Sequence, residues 1–198
     1  LAEVAREWFA SGAAQEHTVS PRDYGFHATL KPPFALVEAV TPEQLQESVA
    51  AFAAGQEAIA LPAMQVSLLG NFVALTLSQP SEPLRALAGL IVEHFDSFRR
   101  PASPEELEKR RQAKLSLRQL ELLDRWGYPY VFEEWQFHMT LTSSLKEAGL
   151  REELHCLLRD RFAEALAEPH FVNDLSIFWQ PNRATPFQLT ERYPCWLP

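Results

Sequence analysis

At 198 residues, with 46% hydrophobic and 22% charged side chains, the chain is long enough to bury a core and has a globular composition. Its net charge of −8 argues against a protein that wraps long nucleic acid, which carries a basic footprint, but leaves room for a small phosphorylated substrate or a short RNA or nucleotide in a local cationic pocket. No apolar run approaches the ~20 residues that span a bilayer, no signal peptide is read, and the two cysteines have no paired spacing, so a cytoplasmic location, free thiols and no membrane partner are expected.

Residues 1–11 place Leu1, Val4, Ala5, Trp8 and Phe9 on one helical face, and residues 12–22 read as a loop. Residues 23–31 read as a strand, in which Phe26, Ala28 and Leu30 share one face and His27, Thr29 and Lys31 the other. Pro32-Pro33 ends it, because proline cannot donate to a ladder. Lys31 is either a cation for a phosphate oxygen or a solvated residue at a strand end. Thr41-Pro42 opens a helix to about Ala54, with Gln44 as a capping-box partner. Residues 57–69 and 71–78 read as strands joined at Gly70-Asn71, and Ser81-Glu82-Pro83 opens a helix to about Phe98 in which His94 reads as packing or surface.

Residues 99–125 hold eight of the eighteen lysines and arginines. Ser103-Pro104 caps a helix there, and the stretch reads as either a solvated connector or a lid carrying cations. Trp126-Gly127-Tyr128-Pro129-Tyr130 is an aromatic turn. Residues 134–143 form a second strand of the first kind, with Phe137, Met139 and Leu141 opposed to His138 and Thr140. A helix over 147–167 carries Leu150, Leu154, Leu157, Leu158 and Phe162 on its apolar side, with His155 as surface or packing. His170 falls at the start of a strand over 170–179, which is followed by a turn at Pro181-Asn182-Arg183 and a strand over 185–193.

The pattern Phe-His-x-Thr-Leu therefore occurs twice, at 26–30 and 137–141, and each copy is followed by a helix and two strands. Leu75 and Phe187 fall 48 and 49 residues after the two histidines. A pseudo-two-fold arrangement of such copies sets both imidazoles into one groove. Paired imidazoles suit an in-line displacement at phosphorus: one takes a proton from water while the other protonates the departing alkoxide, and threonine hydroxyls donate to the non-bridging oxygens. No cofactor is required. Two histidines make an incomplete metal set, no HxH, HxxxH or HExxH spacing is present, and no GxSxG elbow points to a serine nucleophile.

The paired motif resembles that of the two-histidine phosphoesterase superfamily, which includes RNA 2′,3′-cyclic phosphodiesterases and 2′-5′ RNA ligase-like proteins. Tyr24-Gly25-Phe26-His27-Ala28-Thr29-Leu30-Lys31-Pro32-Pro33-Phe34, and Arg125 to Glu134 running into the second motif, are similar to the phosphonate-metabolism branch of that superfamily. The resemblance covers about 20–195. It implies a single bilobal α+β domain over 1–198: lobe one at about 20–80, a helical connector at about 82–125 and lobe two at about 128–195. It implies that His27, Thr29, His138 and Thr140 are catalytic, without a metal, and that a small ribosyl cyclic phosphate is opened hydrolytically. Tyr24, Lys31, Arg118, Tyr128 and Tyr130 lie within the branch's motifs and are carried as substrate-binding residues. The branch also implies a strand ahead of the first helix, which is not found before Leu1, so the sequence reads as a piece of a longer chain. Two other readings stay open: a phosphodiesterase for 2′,3′-cyclic nucleotides or 2′-5′ RNA ends, and a non-catalytic binder of phosphorylated nucleotides or sugars.

Overall fold

A computed structural model describes residues 1–182 and 184–196. In chain order its elements are α1 (Ala2–Ala10), α2 (Val19–Tyr24), α3 (Pro42–Ala54), β1 (Ile59–Ala60), β2 (Met64–Leu69), β3 (Phe72–Leu77), α4 (Glu82–His94), α5 (Pro104–Arg111), α6 (Leu117–Trp126), β4 (Met139–Thr140), α7 (Ala148–Ala167), β5 (Phe171–Val172), β6 (Asp174–Trp179) and β7 (Gln188–Pro194). Among the described residues the strands form three small antiparallel sheets, β1-β5, β2-β3-β4 and β6-β7, so the fold is α+β. Each Phe-His-x-Thr-Leu segment is followed by a long helix and a hairpin, α3 then β2-β3 and α7 then β6-β7.

The chain makes two compact units that interleave along the sequence. The first comprises Leu1–Ala28, Ala53–Ser81 and Phe137–Pro198. Its core joins Trp8, Met64, Val66, Val73, Leu75, Leu141, Leu154, Leu158 and Phe162, with Phe26, Phe137 and Met139 packed against it. Val73, Ala74 and Leu75 are buried in succession because β3 is the central strand, paired on both edges. Leu150, Leu154, Leu158, Phe162 and Leu166 of α7 form an i,i+4 row onto this core, and Leu157, which falls off that row, is exposed. The second unit comprises Thr29–Phe52 and Glu82–Gln136. Val92, Leu122 and Val131 are buried together there, under Trp126, Tyr128 and Phe132.

Local signals account for most boundaries. Thr41 and Gln44 close a capping box at α3, with Gln44 N–H on Thr41 Oγ1 at 3.3 Å and Thr41 N–H on Gln44 Oε1 at 2.9 Å. Ser103 with Glu106 does the same at α5. A second box, Ser116 with Gln119, starts α6 and breaks what the sequence reads as one helical stretch. The loop expected over 12–22 instead contains a 3-10 turn, Gly12–Ala14, and α2. Pro21 sits in the first turn of α2, where its missing N–H costs nothing. The strand expected over 57–69 divides at Leu61-Pro62, and the two histidine strands are much shorter than 23–31 and 134–143: one pairs at Ala28 alone, the other over Met139–Thr140. Arg183 of the expected 181–183 turn lies outside the described residues. Both cysteines are free thiols, Cys156 exposed and Cys195 buried. No described helix is long and apolar enough to cross a membrane.

Candidate active site

His27 and His138 both lie in the first unit, where the chain at Ala28 runs beside β4. Met139 pairs with Leu75 of β3 on one side and with Ala28 on the other, so the chain around Ala28 extends the sheet past β4. Ala28 and Met139 are the residues that directly follow His27 and His138. An antiparallel bridge centred on them sets position 27 across from position 140, on one face of the sheet. Phe26, Phe137 and Met139 take the opposite face, into the core. The period-two alternation thus leaves His27, His138 and Thr140 on the face away from the core.

Each imidazole is flanked by a ring from the hairpin of the other repeat. Phe178 of β6 lies 5.2 Å from His27 between ring centroids, and Phe72 of β3 lies 6.1 Å from His138. Tyr24, at the end of α2, lies 6.4 Å from His27 and stacks on Phe187 at 5.3 Å. The Phe187 N–H donates to the Asp23 carbonyl at 2.7 Å, which fixes the strand leading into β7 against the residues before His27. Phe72, Phe178 and the role of Gly25 escape the sequence reading. The β6-β7 register slips between Ile177 and Phe178, with Thr190 as the extra residue on β7, so the β7 residue that pairs with Phe178 does not follow from counting by twos.

His27 Nδ1 lies 3.0 Å from the Gly25 carbonyl. A carbonyl only accepts, so Nδ1 carries the proton, and in the neutral ring Nε2 is the basic nitrogen. Burial pushes the His27 pKa below its usual 6.5; the Gly25 bond works against this, and the charge of His138 lowers it further. His27 is therefore biased toward the neutral form with Nε2 as its basic site, and its ionisation is linked to that of His138.

The side chains of His94, His155 and His170 make packing and backbone contacts. His94 lies between Phe52 and Phe95, at 4.9 and 4.8 Å between ring centroids. His155 Nε2 is 3.1 Å from the Val66 carbonyl, and His170, just ahead of β5, places Nε2 2.9 Å from the Ala165 carbonyl. Among the described residues no three His, Cys, Asp or Glu side chains come together as a metal set.

Of the other sequence-derived candidates, Tyr24 and Thr140 share the first unit with both histidines; Thr29, Lys31, Arg118, Tyr128 and Tyr130 belong to the second. The Thr29 carbonyl accepts from Trp135 Nε1 at 2.9 Å. Arg118 is exposed and paired with Glu121, at 3.0 Å, and with Glu133. Tyr128 and Tyr130 meet edge to face at 5.6 Å, with the Arg110 guanidinium 5.5 Å over the Tyr128 ring. In the basic stretch Arg99, Arg100 and Arg111 pair with Asp96, Glu106 and Asp124, so carboxylates balance much of its charge.

Lys31 Nζ donates to the Val92 carbonyl in the last turn of α4 at 3.0 Å and sits 5.4 Å over the Phe34 ring. Burial brings its pKa down to about 8, with Asp96 opposing that shift and Arg99 reinforcing it. The unfolded chain, with lysine near 10.5, binds more protons than the folded one between these values, so this residue makes stability rise as pH climbs from about 8 toward 10.5. Urea unfolding at about pH 7.5 and 9.5 is expected to show that gain in the wild type and a smaller gain in Lys31→Met; an equal gain in both would remove Lys31 as its source.

Residues 29–188 match the family model described as a protein of unknown function (DUF1045). That match opens two residues after His27 and includes the second motif. The chain is also similar to two curated bacterial proteins that both carry the name ribose 1,5-bisphosphate phosphokinase PhnN. One, from Janthinobacterium sp. (strain Marseille), is 41% identical over 180 residues, covering 89% of this chain and 40% of the relative. The other, from Laribacter hongkongensis (strain HLHK9), is 32% identical over 179 residues, covering 90% and 41%. The chain thus spans about two fifths of the length of the curated relatives it matches.

Proposed function

The chain belongs to the DUF1045 family, and from that premise we propose that it is a metal-independent phosphodiesterase of the two-histidine kind, opening a small ribosyl cyclic phosphate. The observation that carries this reading is the bridge between Ala28 and Met139, the residues that directly follow His27 and His138. Neutral His27 takes a proton through Nε2 from a water whose oxygen attacks phosphorus in line with the ring oxygen that leaves. The new P–O bond forms as the ring P–O bond breaks, and protonated His138 gives its proton to the departing alkoxide. Thr140 donates to a non-bridging oxygen, and the motif gives Thr29 the same role. Solvent exchange returns the two histidines to their starting protonation states. Tyr24 contacts the substrate beside His27, and Lys31, Arg118, Tyr128 and Tyr130 keep the substrate-binding roles given by the sequence resemblance.

The name of the relatives supports the choice of substrate. Water opening a ribose 1,2-cyclic phosphate 5-phosphate at the bond to O2 leaves phosphate on O1 and gives ribose 1,5-bisphosphate, the compound that the relatives' name gives as their substrate. This chain contains no G-x-x-x-x-G-K-[ST] loop, so the named kinase activity is assigned to the part of those relatives that it does not match. The two steps then follow one another, and both belong to phosphonate metabolism. A second reading, favoured by the exposed Tyr24 ring stacked on Phe187, is a 2′,3′-cyclic nucleotide substrate whose base stacks on that platform.

Phosphorus NMR with a chelator present tests these readings on both substrates. Opening of the ribosyl substrate by the wild type, and its loss in His27→Ala and His138→Ala, is the expected result. Opening of the nucleotide alone would select the second reading. A shift on binding with no turnover of either would replace the enzyme by a binder of phosphorylated nucleotides or sugars.

A further inference from the structure

We propose that Gly25 is a positioning residue that commits His27 to the role of general base. The inference rests on the phosphodiesterase reading for its catalytic meaning, but its structural content stands apart from that reading.

Gly25 has φ 73° and ψ 174°, a region of backbone space that only glycine occupies without strain. Space is not what requires glycine here. A Cβ at residue 25 would meet nothing closer than Phe178 Cε1 at 3.7 Å, an ordinary van der Waals contact. What the conformation achieves is local: it ends α2 and aims the residue's own carbonyl at Nδ1 of the imidazole two residues on, 3.0 Å away. That carbonyl holds the proton on Nδ1 and presents Nε2 as the basic nitrogen. An imidazole in solution has no such constraint. Tyr24 and His138 are titratable groups set against His27. A charged His138 and a neutral, Nε2-basic His27 are the protonation pair that the displacement needs, so the backbone at residue 25 sorts two like histidines into unlike roles.

An L side chain at residue 25 is driven out of this conformation, and the carbonyl turns away from the ring. Gly70, in the β2-β3 turn, supplies the control: its φ is +56° and a Cβ there would have nothing within 4 Å, so Gly70→Ala carries backbone strain outside the segment that holds His27.

The test is the tautomer of the His27 ring, read from long-range nitrogen–proton NMR correlations without substrate at a pH above the His27 pKa. The wild type is expected to hold the Nδ1–H form and Gly25→Ala to move toward Nε2–H, while Gly70→Ala stays as the wild type. In Gly25→Ala kcat is expected to fall on the order of 10²-fold with KM little changed, and the acid limb of the pH profile to move. An Nε2–H form in the wild type, or the same tautomer in wild type and Gly25→Ala, overturns the proposal. The wild-type spectrum decides the matter even if Gly25→Ala does not fold. A wild-type Nδ1–H form with no phosphodiester opened would uphold the positioning of His27 and refute the phosphodiesterase reading.

Discussion

Alanine in place of His27 or of His138 is expected to slow phosphodiester opening by about 10²–10⁴-fold, the range that a positioned acid or base supplies. In the proposed displacement neither imidazole substitutes for the other, because one proton is taken and another given in the same step. His27→Ala removes the base, and His138→Ala leaves the alkoxide to depart unprotonated. The double variant is expected to fall well short of the product of the two single losses, since two residues that act as a unit are not additive. His138→Ala also carries a readout that needs no substrate. The charge of His138 is one of the causes that lower the His27 pKa, so His27, followed by NMR titration, is expected to move up toward its usual 6.5 in that variant. An unchanged His27 titration would mean that the two rings do not sense each other.

Trp8→Ala is expected to destabilise the protein by about 3–5 kcal/mol, measured as a drop in the urea midpoint at constant slope. The indole is 1% exposed, in the core shared by Val73, Leu75 and Leu158. Its Nε1 donates to the Leu141 carbonyl at 2.8 Å. Alanine therefore opens a cavity and leaves that carbonyl without the indole donor, an added cost of about 1–3 kcal/mol at the upper end. A domain of this size has only about 5–15 kcal/mol in total. Trp8→Phe keeps most of the volume and loses the donor, so it is expected to cost less than Trp8→Ala and to isolate the hydrogen bond. Leu141 closes the second Phe-His-x-Thr-Leu segment, so α1 holds the His138 segment from behind, and a helix remote in sequence bears on the site.

How far the sequence foretells these features depends on whether the signal is local. Alternation places Phe26, Phe137, Met139 and Leu141 in the core because strand side chains alternate whatever the tertiary context, and the face of His27, His138 and Thr140 follows. The Thr41 and Ser103 caps are legible because each is closed within four residues. The order of segment, helix and hairpin in each repeat is legible from periodicity. Strand length is not: β3 runs on from Phe72 to Leu77, but after Thr140 the ladder breaks because the N–H groups of Leu141 and Thr142 both donate to the Val73 carbonyl. Lys31 shows the same limit. Alternation gives its face, but the carbonyl of Val92, sixty-one residues on, is supplied only by the packing of α4. The approach of Phe178 to His27 comes only from tertiary packing, and α2 is hidden by a proline that reads as a breaker except in the first turn of a helix.

The central claim is that two imidazoles, one neutral and one charged, do the chemistry without a metal. The dependence of kcat/KM on pH, measured on the ribosyl cyclic phosphate in the presence of a chelator, tests it most directly. The account predicts a bell whose acid limb, set mainly by His27, lies below 6.5, and whose height the chelator leaves unchanged. A flat profile from about pH 5 to 9, or loss of activity on chelation, would contradict it.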